Sequence, residues 1–380
     1  MMASAMSGLE LIIRRVEVFG VAVPLVGPGF KNAYTTKTTQ KSALVRLTAH
    51  DGSVGLGNID PSPGYSVETI DQSLLALRTR LAPLVEGRDA GNPHLLVQAM
   101  DAALPGFLDA KAAIEMACID LLARKLGIPV HQYLGGAMVP SVRFNAWIGI
   151  VPPDEAAAEA RKWFDRGFRS AKVKVGGGIA ADRDRLMAVR EAVGPDMALR
   201  ADANAGYSVE DAIALGRLLE PFAMQLLEQP VADHDLSGMA KVRQAIGIPV
   251  MADESLTDHA SLIAVIRADC ADIVKLKVMK QGCFLKCRRM LETASAAGMK
   301  VVIGHGFGLG INTVAEIMLA CTSTDVLEGL ECVGPLKTSD DIVVHKLDLN
   351  RGELAIPEGP GLGVVLDEQK VRTYAFQTQD

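Results

Sequence analysis

A chain of 380 residues with 49% hydrophobic side chains and a formal net charge of −6 can bury a large core and exceeds one ordinary domain. Only 4% of its residues are aromatic and no basic run is interleaved with them, which excludes a nucleic-acid surface. The opening stretch MMASAMSGLELIIRRVEVFG has no charged segment ahead of a long apolar run, so neither a signal peptide nor a membrane span is expected.

In chain order, residues 1 to about 8 read as a loose tail. LIIRRVEVFGVAVPL and KSALVRLTAHDGSVGLGNI then read as strands, the latter two joined at a DG hairpin signal. SVETIDQSLLALRTRLAPLV and AKAAIEMACIDLLARKLG follow as helices, with apolar residues at 3.6 spacing. Residues 9–140 therefore form an α+β unit.

From 141 to 344 the texture becomes a regular alternation. Short apolar strands are expected near 142–149, 170–175, 197–202, 225–228, 249–253, 272–277, 300–304 and 326–331. Seven helices separate them, two opening at the N-caps Ser208 and Thr257. That is the signature of an α/β fold of (β/α)-barrel type. The Gly/Pro-rich segment 345–380 is expected to return to the N-terminal unit. The six cysteines show no CxxC pair or Cys/His cluster and read as core fillers in a reducing compartment, so a cytoplasmic location is expected.

In such a barrel the chemistry sits where strands end. Three consecutive strand ends carry acids: Asp202 in LRADAN, Glu228 in LLEQP and Asp253 in VMADES, each one βα repeat apart. Strands in register bring these carboxylates to the barrel mouth, where a hard divalent cation, Mg²⁺ or Mn²⁺, resolves their repulsion. The bland alternative, that each acid caps the next helix, is weakened by three in succession at one phase.

Lysines flank the trio. Lys174 ends the second strand and Lys277 the sixth, on opposite sides of an eight-stranded barrel. Lys172 shares a strand face with Lys174, and Lys275 shares one with Lys277. Taken alone, the KVK of residues 172–174 reads as a charged edge strand. Beside the acids it reads as a base and its tuning partner, with neighbouring cations expected to lower the lysine pKa values. A carboxylate substrate on the metal would have an acidified α-proton, and the enediolate left by its removal would be stabilised.

KVKVG, DAN, LEQP, ADES, KLKVMKQG, GLECVGPL and PEGPGLGV, in this order, resemble the enolase superfamily and its muconate lactonizing enzyme subgroup. The resemblance spans nearly the whole chain: capping domain, modified TIM-type barrel and C-terminal return. It implies that Lys174 and Lys277 are the acid/base pair and that Asp202, Glu228 and Asp253 bind Mg²⁺. It further implies that Lys172 and Asn204 assist, and that Glu331 is the acid or polar residue ending strand eight. There are departures. Lys275 stands where the family commonly has Asn, and the loop GHGFGLGIN has Gly308 near the position of an acid that many muconate cycloisomerases carry. His305 falls where mandelate racemases hold their histidine base, but with Lys277 at the partner aspartate's position it reads as a substrate contact or a structural histidine. No Asp-x-Asp follows on strand eight, which counts against dipeptide epimerases.

Loops of the capping domain set specificity in this family, and Lys31, Tyr34, Asp60 and Tyr65 are the candidates there, with Trp147 at the pocket floor. The expected substrate is a small carboxylate and the expected assembly a homo-oligomer. Cycloisomerisation, racemisation or epimerisation, and dehydration all share the same first step. The GLECVGPL segment favours cycloisomerisation. A non-catalytic barrel that only binds is the reading from a different class; both lysines and all three acids are retained, which argues against it.

Overall fold

The computed structural model describes residues 11–27, 30–31, 36–62 and 66–376, with the backbone alone for 30, 31 and 36. Tyr34, Tyr65 and the N-terminal tail lie outside the described residues.

The N-terminal unit begins with strand β1 (Ile13–Pro24), a short antiparallel pair β2 (Phe30–Lys31) and β3 (Thr36–Lys37), then β4 (Thr39–Ala49) and β5 (Val54–Ile59). β1, β4 and β5 form an antiparallel sheet with β4 in the middle. The alternation along β4 serves two cores. Ala43, Val45 and Leu47 face the helices of this unit, while Leu44 joins the core shared with the barrel. The helix expected over 66–85 runs as Ile70–Ala76, a π turn Leu77–Leu81 and Ala82–Val85, and starts from a Thr69 capping box with Gln72.

The helix Leu108–Leu126 crosses β5 at a distance that only glycine permits. A Cβ on Gly57 would lie 1.9 Å from the Ala113 carbonyl oxygen, and one on Gly55 2.1 Å from that of Ala117.

The barrel consists of parallel strands β7 (Ala146–Ile148), β8 (Ser170–Lys174), β9 (Ala198–Asp202), β10 (Met224–Glu228), β11 (Val250–Ala252), β12 (Ile273–Leu276) and β13 (Lys300–Ile303), paired in sequence order. Helices separate them, running from Pro153–Asp165 to Gly310–Ala320. The strand expected over 142–149 is split. β6 (Ser141–Arg143) pairs instead with β14 (Glu353–Ala355), beyond the barrel.

The eighth strand, expected at 326–331, is not a regular strand. Single parallel bridges, Val301 to Val326 and Phe144 to Leu330, close the ring there. Gly329, at φ +90°, breaks the extended run between those bridges. The helix expected from Thr257 starts one residue later: Asp258 is its N-cap, in a capping box with Ser261, while Ser208 caps as expected. After β14 the chain runs along the N-terminal unit, where Val130 N–H donates to the Gly361 carbonyl and Ala22 N–H to that of Tyr374. The six cysteines are buried and unbridged, and among the described residues no helix is long and apolar enough to cross a membrane.

The contact between β5 and its helix gives a direct test. Gly57→Ala should cost about 2–4 kcal/mol, read as a lowered urea midpoint. Gly149→Ala, where an added Cβ meets nothing within 4 Å, should be neutral or slightly stabilising.

Candidate active site

Strand register assembles the acids. Lys174 on β8 is the register partner of Asp202 on β9, which in turn is the partner of Glu228 on β10. Asp253 follows the last residue of β11. All three carboxylates are almost wholly buried.

The lysines stand among them. Lys172 Nζ lies 3.0 Å from Asp202, 3.3 Å from Glu228 and 2.5 Å from Glu331. Lys275 Nζ lies 2.9 Å from Glu228 and 2.5 Å from Glu331. Lys174 Nζ donates to Asp202 Oδ2 at 2.7 Å and to Asn204 Oδ1 at 2.5 Å. Across the site, Lys277 Nζ donates to both oxygens of Asp253 at 2.7 and 2.8 Å. The two lysines expected to share one chemistry are therefore held by separate carboxylates on separate strands.

Lys172 and Lys275, expected to act as tuning cations for Lys174 and Lys277, are themselves held by carboxylates. Burial opposes charge on Lys172 and Lys275, but Glu228 and Glu331 outweigh it and hold both ammonium groups above their ordinary range. Lys277 behaves as expected: burial brings it down to about 8 against the opposing charge of Asp253, and Lys280 and Lys275 add to the shift. The stronger repulsive neighbour of Lys277 is thus Lys280, whose Nζ reaches Asp253 Oδ1 at 3.0 Å. Lys172 instead spends its charge on three acids.

Among the described residues no three Asp, Glu, His or Cys side chains gather at one point as a ready metal cage, because lysine ammonium groups lie between the carboxylates. The donor set nonetheless fits a hard divalent ion. It offers oxygen alone, from three adjacent strand ends. Lysines hold Asp253 and Asp202 well below the usual carboxylate range despite burial, so both are ionised. Burial and the nearby Asp202 push Glu228 up to about 8, against the opposing charges of Lys172 and Lys275.

Asn204 adopts φ +43°, accepts from Lys174 and donates through Nδ2 to Glu254 Oε1 at 2.9 Å. Glu331 faces the floor rather than open space: it receives Lys172, Lys275 and, at 3.2 Å, the fully buried Arg200. Asp60 is also fully buried, its oxygens taken by Ser42 Oγ and by Asn312 Nδ2 at 3.0 Å, so it underlies the mouth instead of lining it. Lys31 is described only as backbone of β2. Trp147 is half-buried and packs against Trp163, with ring centroids 4.6 Å apart and planes tilted by 53°.

His305 is buried, its Nε2 has no hydrogen-bond partner among the described residues, and burial and then Lys277, Lys37 and Lys337 hold it well below its ordinary pKa. It is a neutral imidazole facing lysines. A cleft of about 540 Å³ reaches Lys277 between Glu68, Phe107 and Asp109 of the N-terminal unit and Asp253, Glu254 and Lys280 of the barrel.

Sequence reasoning missed Arg200, Glu254 and Lys280. Arg200 was detectable by parity, since it stands two residues before Asp202 on the same strand face. Glu254 adjoins Asp253, and Lys280 lies one turn beyond Lys277.

The chain matches the family models described as "Mandelate racemase / muconate lactonizing enzyme, N-terminal domain" over residues 13–135 and "Enolase C-terminal domain-like" over 155–370. It is 31% identical to the L-Ala-D/L-Glu epimerase of Bacillus subtilis over 356 residues, 93% of this chain and 96% of that one. It is likewise 31% identical to muconate cycloisomerase 1 of Rhodococcus opacus over 370 residues, 96% of this chain and 99% of that one. The solved structure of a dipeptide epimerase from Enterococcus faecalis V583, complexed with Mg and the dipeptide L-Leu-L-Tyr, superposes with a TM-score of 0.89. It shares 29% identity, covering 93% of this chain and 99% of that one. With both halves of the chain matched and the barrel's acids and lysines gathered at one mouth, the chain belongs to the enolase superfamily, within its mandelate racemase/muconate lactonizing enzyme group, and is an enzyme of the isomerase class.

Proposed function

We propose that this enzyme removes the proton α to a carboxylate of a small substrate and returns a proton to the same skeleton. The observation that carries the reading is the placement of Lys174 and Lys277 on β8 and just past β12, with the acids between them. A planar carbanionic centre formed between two ammonium-bearing side chains can be protonated from either face. That geometry supports racemisation or epimerisation at the α-carbon.

Asp202, Glu228 and Asp253 would hold Mg²⁺, as their oxygen-only donor set permits. Bound there, the ion supplies Lewis-acid polarisation of the substrate carboxylate and so acidifies the α-proton. The remaining work falls to the chain's own residues. Lys277, brought down to about 8, is poised to take a proton near neutral pH. Lys174 is oriented by Asp202 and Asn204 to serve the other face. Lys172 and Lys275 keep Glu228 and Glu331 neutralised, so the floor holds its shape while charge develops above it.

A second reading, cycloisomerisation, draws support from the unequal setting of the two bases. The Lys277 side chain is 3% exposed and that of Lys174 23%, which suits one proton-transferring lysine and one electrostatic helper.

Two measurements follow. EDTA should abolish turnover, and Mg²⁺ or Mn²⁺ should restore it; full activity in metal-free protein would remove the acid trio from the reaction. Lys174→Ala and Lys277→Ala should each slow turnover by about 10²–10⁴-fold. For an epimerase each variant loses interconversion but still exchanges the α-proton of one enantiomer with D₂O. For a cycloisomerase one variant loses all exchange, and the other converts slowly with unchanged stereochemistry. Wild-type exchange in both variants would exclude both lysines as bases.

A further inference from the structure

The groups that orient Lys174 are themselves tied down from behind. Lys174 Nζ is held by Asp202 and Asn204, and Asn204 belongs to a turn that a chain does not adopt freely. Asn204 and Ala205 both stand in the left-handed region, at φ +43° and +60°. Residues with a Cβ disfavour that conformation, so two in succession persist only where the surroundings fix them. Three main-chain hydrogen bonds contribute: Ala205 N–H to the Gln229 carbonyl at 2.8 Å, Gly206 N–H to that of Ala203 at 2.9 Å and Tyr207 N–H to that of Pro230 at 3.1 Å.

The next fixture is a side chain. Tyr207 Oη donates to Asp182 Oδ2 in a short hydrogen bond. Asp182 and Arg185 lie one turn apart on the helix Ile179–Val193 that follows β8, where both are buried and pair with each other. The same Oδ2 accepts from the N–H groups of Gly176 at 2.8 Å and Gly178 at 3.1 Å, in the loop just beyond Lys174. Arg185 donates to the carbonyl of Lys174 itself at 3.2 Å and to that of Val151, after β7, at 2.7 Å. Asp182 and Arg185 therefore hold the end of the strand that carries Lys174. Tyr207 links that end to the turn that carries Asn204.

We propose that Tyr207, Asp182 and Arg185 are positioning residues for Lys174, fixing its Nζ against Asn204 Oδ1 while leaving Lys277 untouched. The proposal rests on the reading that Lys174 transfers a proton on one face of the substrate. Its signature is therefore asymmetric: a fault here weakens proton transfer on the Lys174 face alone. A bond that merely held the fold together would weaken both faces or neither.

Tyr207→Phe tests this, because it removes one hydroxyl and leaves the ring, the Asp182–Arg185 pair and the contacts of Asp182 with the glycine loop. Two readouts are taken on the Mg²⁺-loaded protein. The first needs no substrate: trace labelling with acetic anhydride, read by mass spectrometry, compares Lys174 with Lys300, which starts β13 at the opposite end of the barrel. The Lys174 side chain is 23% exposed and open to the reagent. Loosened from Asn204, it should react about threefold faster or more in Tyr207→Phe, relative to Lys300. The second readout is α-proton exchange in D₂O of L-Ala-L-Glu and L-Ala-D-Glu, and of both enantiomers of N-succinylalanine. For the isomer whose exchange requires Lys174, identified with Lys174→Ala, kcat should fall about tenfold with KM nearly unchanged, since a misplaced group loses rate more than binding. The other isomer should keep the wild-type rate.

Unchanged labelling of Lys174 in Tyr207→Phe overturns the proposal. So does equal slowing of both isomers. A lowered melting temperature, with labelling and isomer ratio as in the wild type, would make Tyr207 a loop staple and also overturns it. Faster labelling of Lys174, with exchange of every probe unaffected by Lys174→Ala, upholds the positioning role and counts against Lys174 as a base. Exchange that needs Lys174 but is indifferent to Tyr207→Phe does the reverse.

Discussion

The site depends on one electrostatic constraint: Glu228 and Glu331 are buried at the barrel floor and must be neutralised there. Lys172 and Lys275 each bridge the two glutamates, and Arg200 supports Glu331 from below. Each charge is acceptable only because the others are present. Removing one partner of such a buried set typically costs about 3–5 kcal/mol, since an uncompensated charge remains. The strand ends are held at their spacing by this lattice as well as by backbone hydrogen bonds.

From that floor the functional asymmetry follows. Lys172 and Lys275 are committed to carboxylates and stay charged, so neither is suited to accept a proton. Lys277 pairs with Asp253, but burial and then the charges of Lys280 and Lys275 bring it down to about 8, within reach of losing its proton near neutrality. On β8 the period-two geometry puts Lys172 and Lys174 on one face but at different depths. The deeper lysine meets Glu331, and the outer one meets Asp202 and Asn204. On the proposed reading, the same pattern of two lysines two residues apart divides into a structural cation and a proton carrier on both sides of the site.

Much of this was legible in the sequence because a parallel barrel repeats. Acids one βα repeat apart at the same phase end neighbouring strands on one side of the barrel, and the positions of Asp202, Glu228 and Asp253 followed from that spacing. Lys174 and Lys277 followed from the strand order. What could not be read is what depends on depth and on contacts between distant segments. Glu331 could be placed at the end of strand eight, but nothing local says that Arg200, Lys172 and Lys275 all point toward it. Asp60 was a candidate for contact with the substrate, yet Ser42 and Asn312 enclose it. The eighth strand looked regular because its apolar residues fit the pattern, but Gly329 bends the chain and only single bridges close the ring. Lys37 and Lys337 are far apart in sequence, yet both lie over the Phe307 ring.

The central claim is that one mouth of this barrel takes a proton from the carbon next to a carboxylate. Proton NMR of a panel of small carboxylates, incubated in D₂O with the Mg²⁺-loaded wild-type enzyme, tests it most directly. The account predicts that the α-hydrogen resonance of at least one compound disappears faster than in the enzyme-free control, with deuterium found at that carbon in substrate or product. Turnover of a panel member with its α-hydrogen fully retained would contradict it.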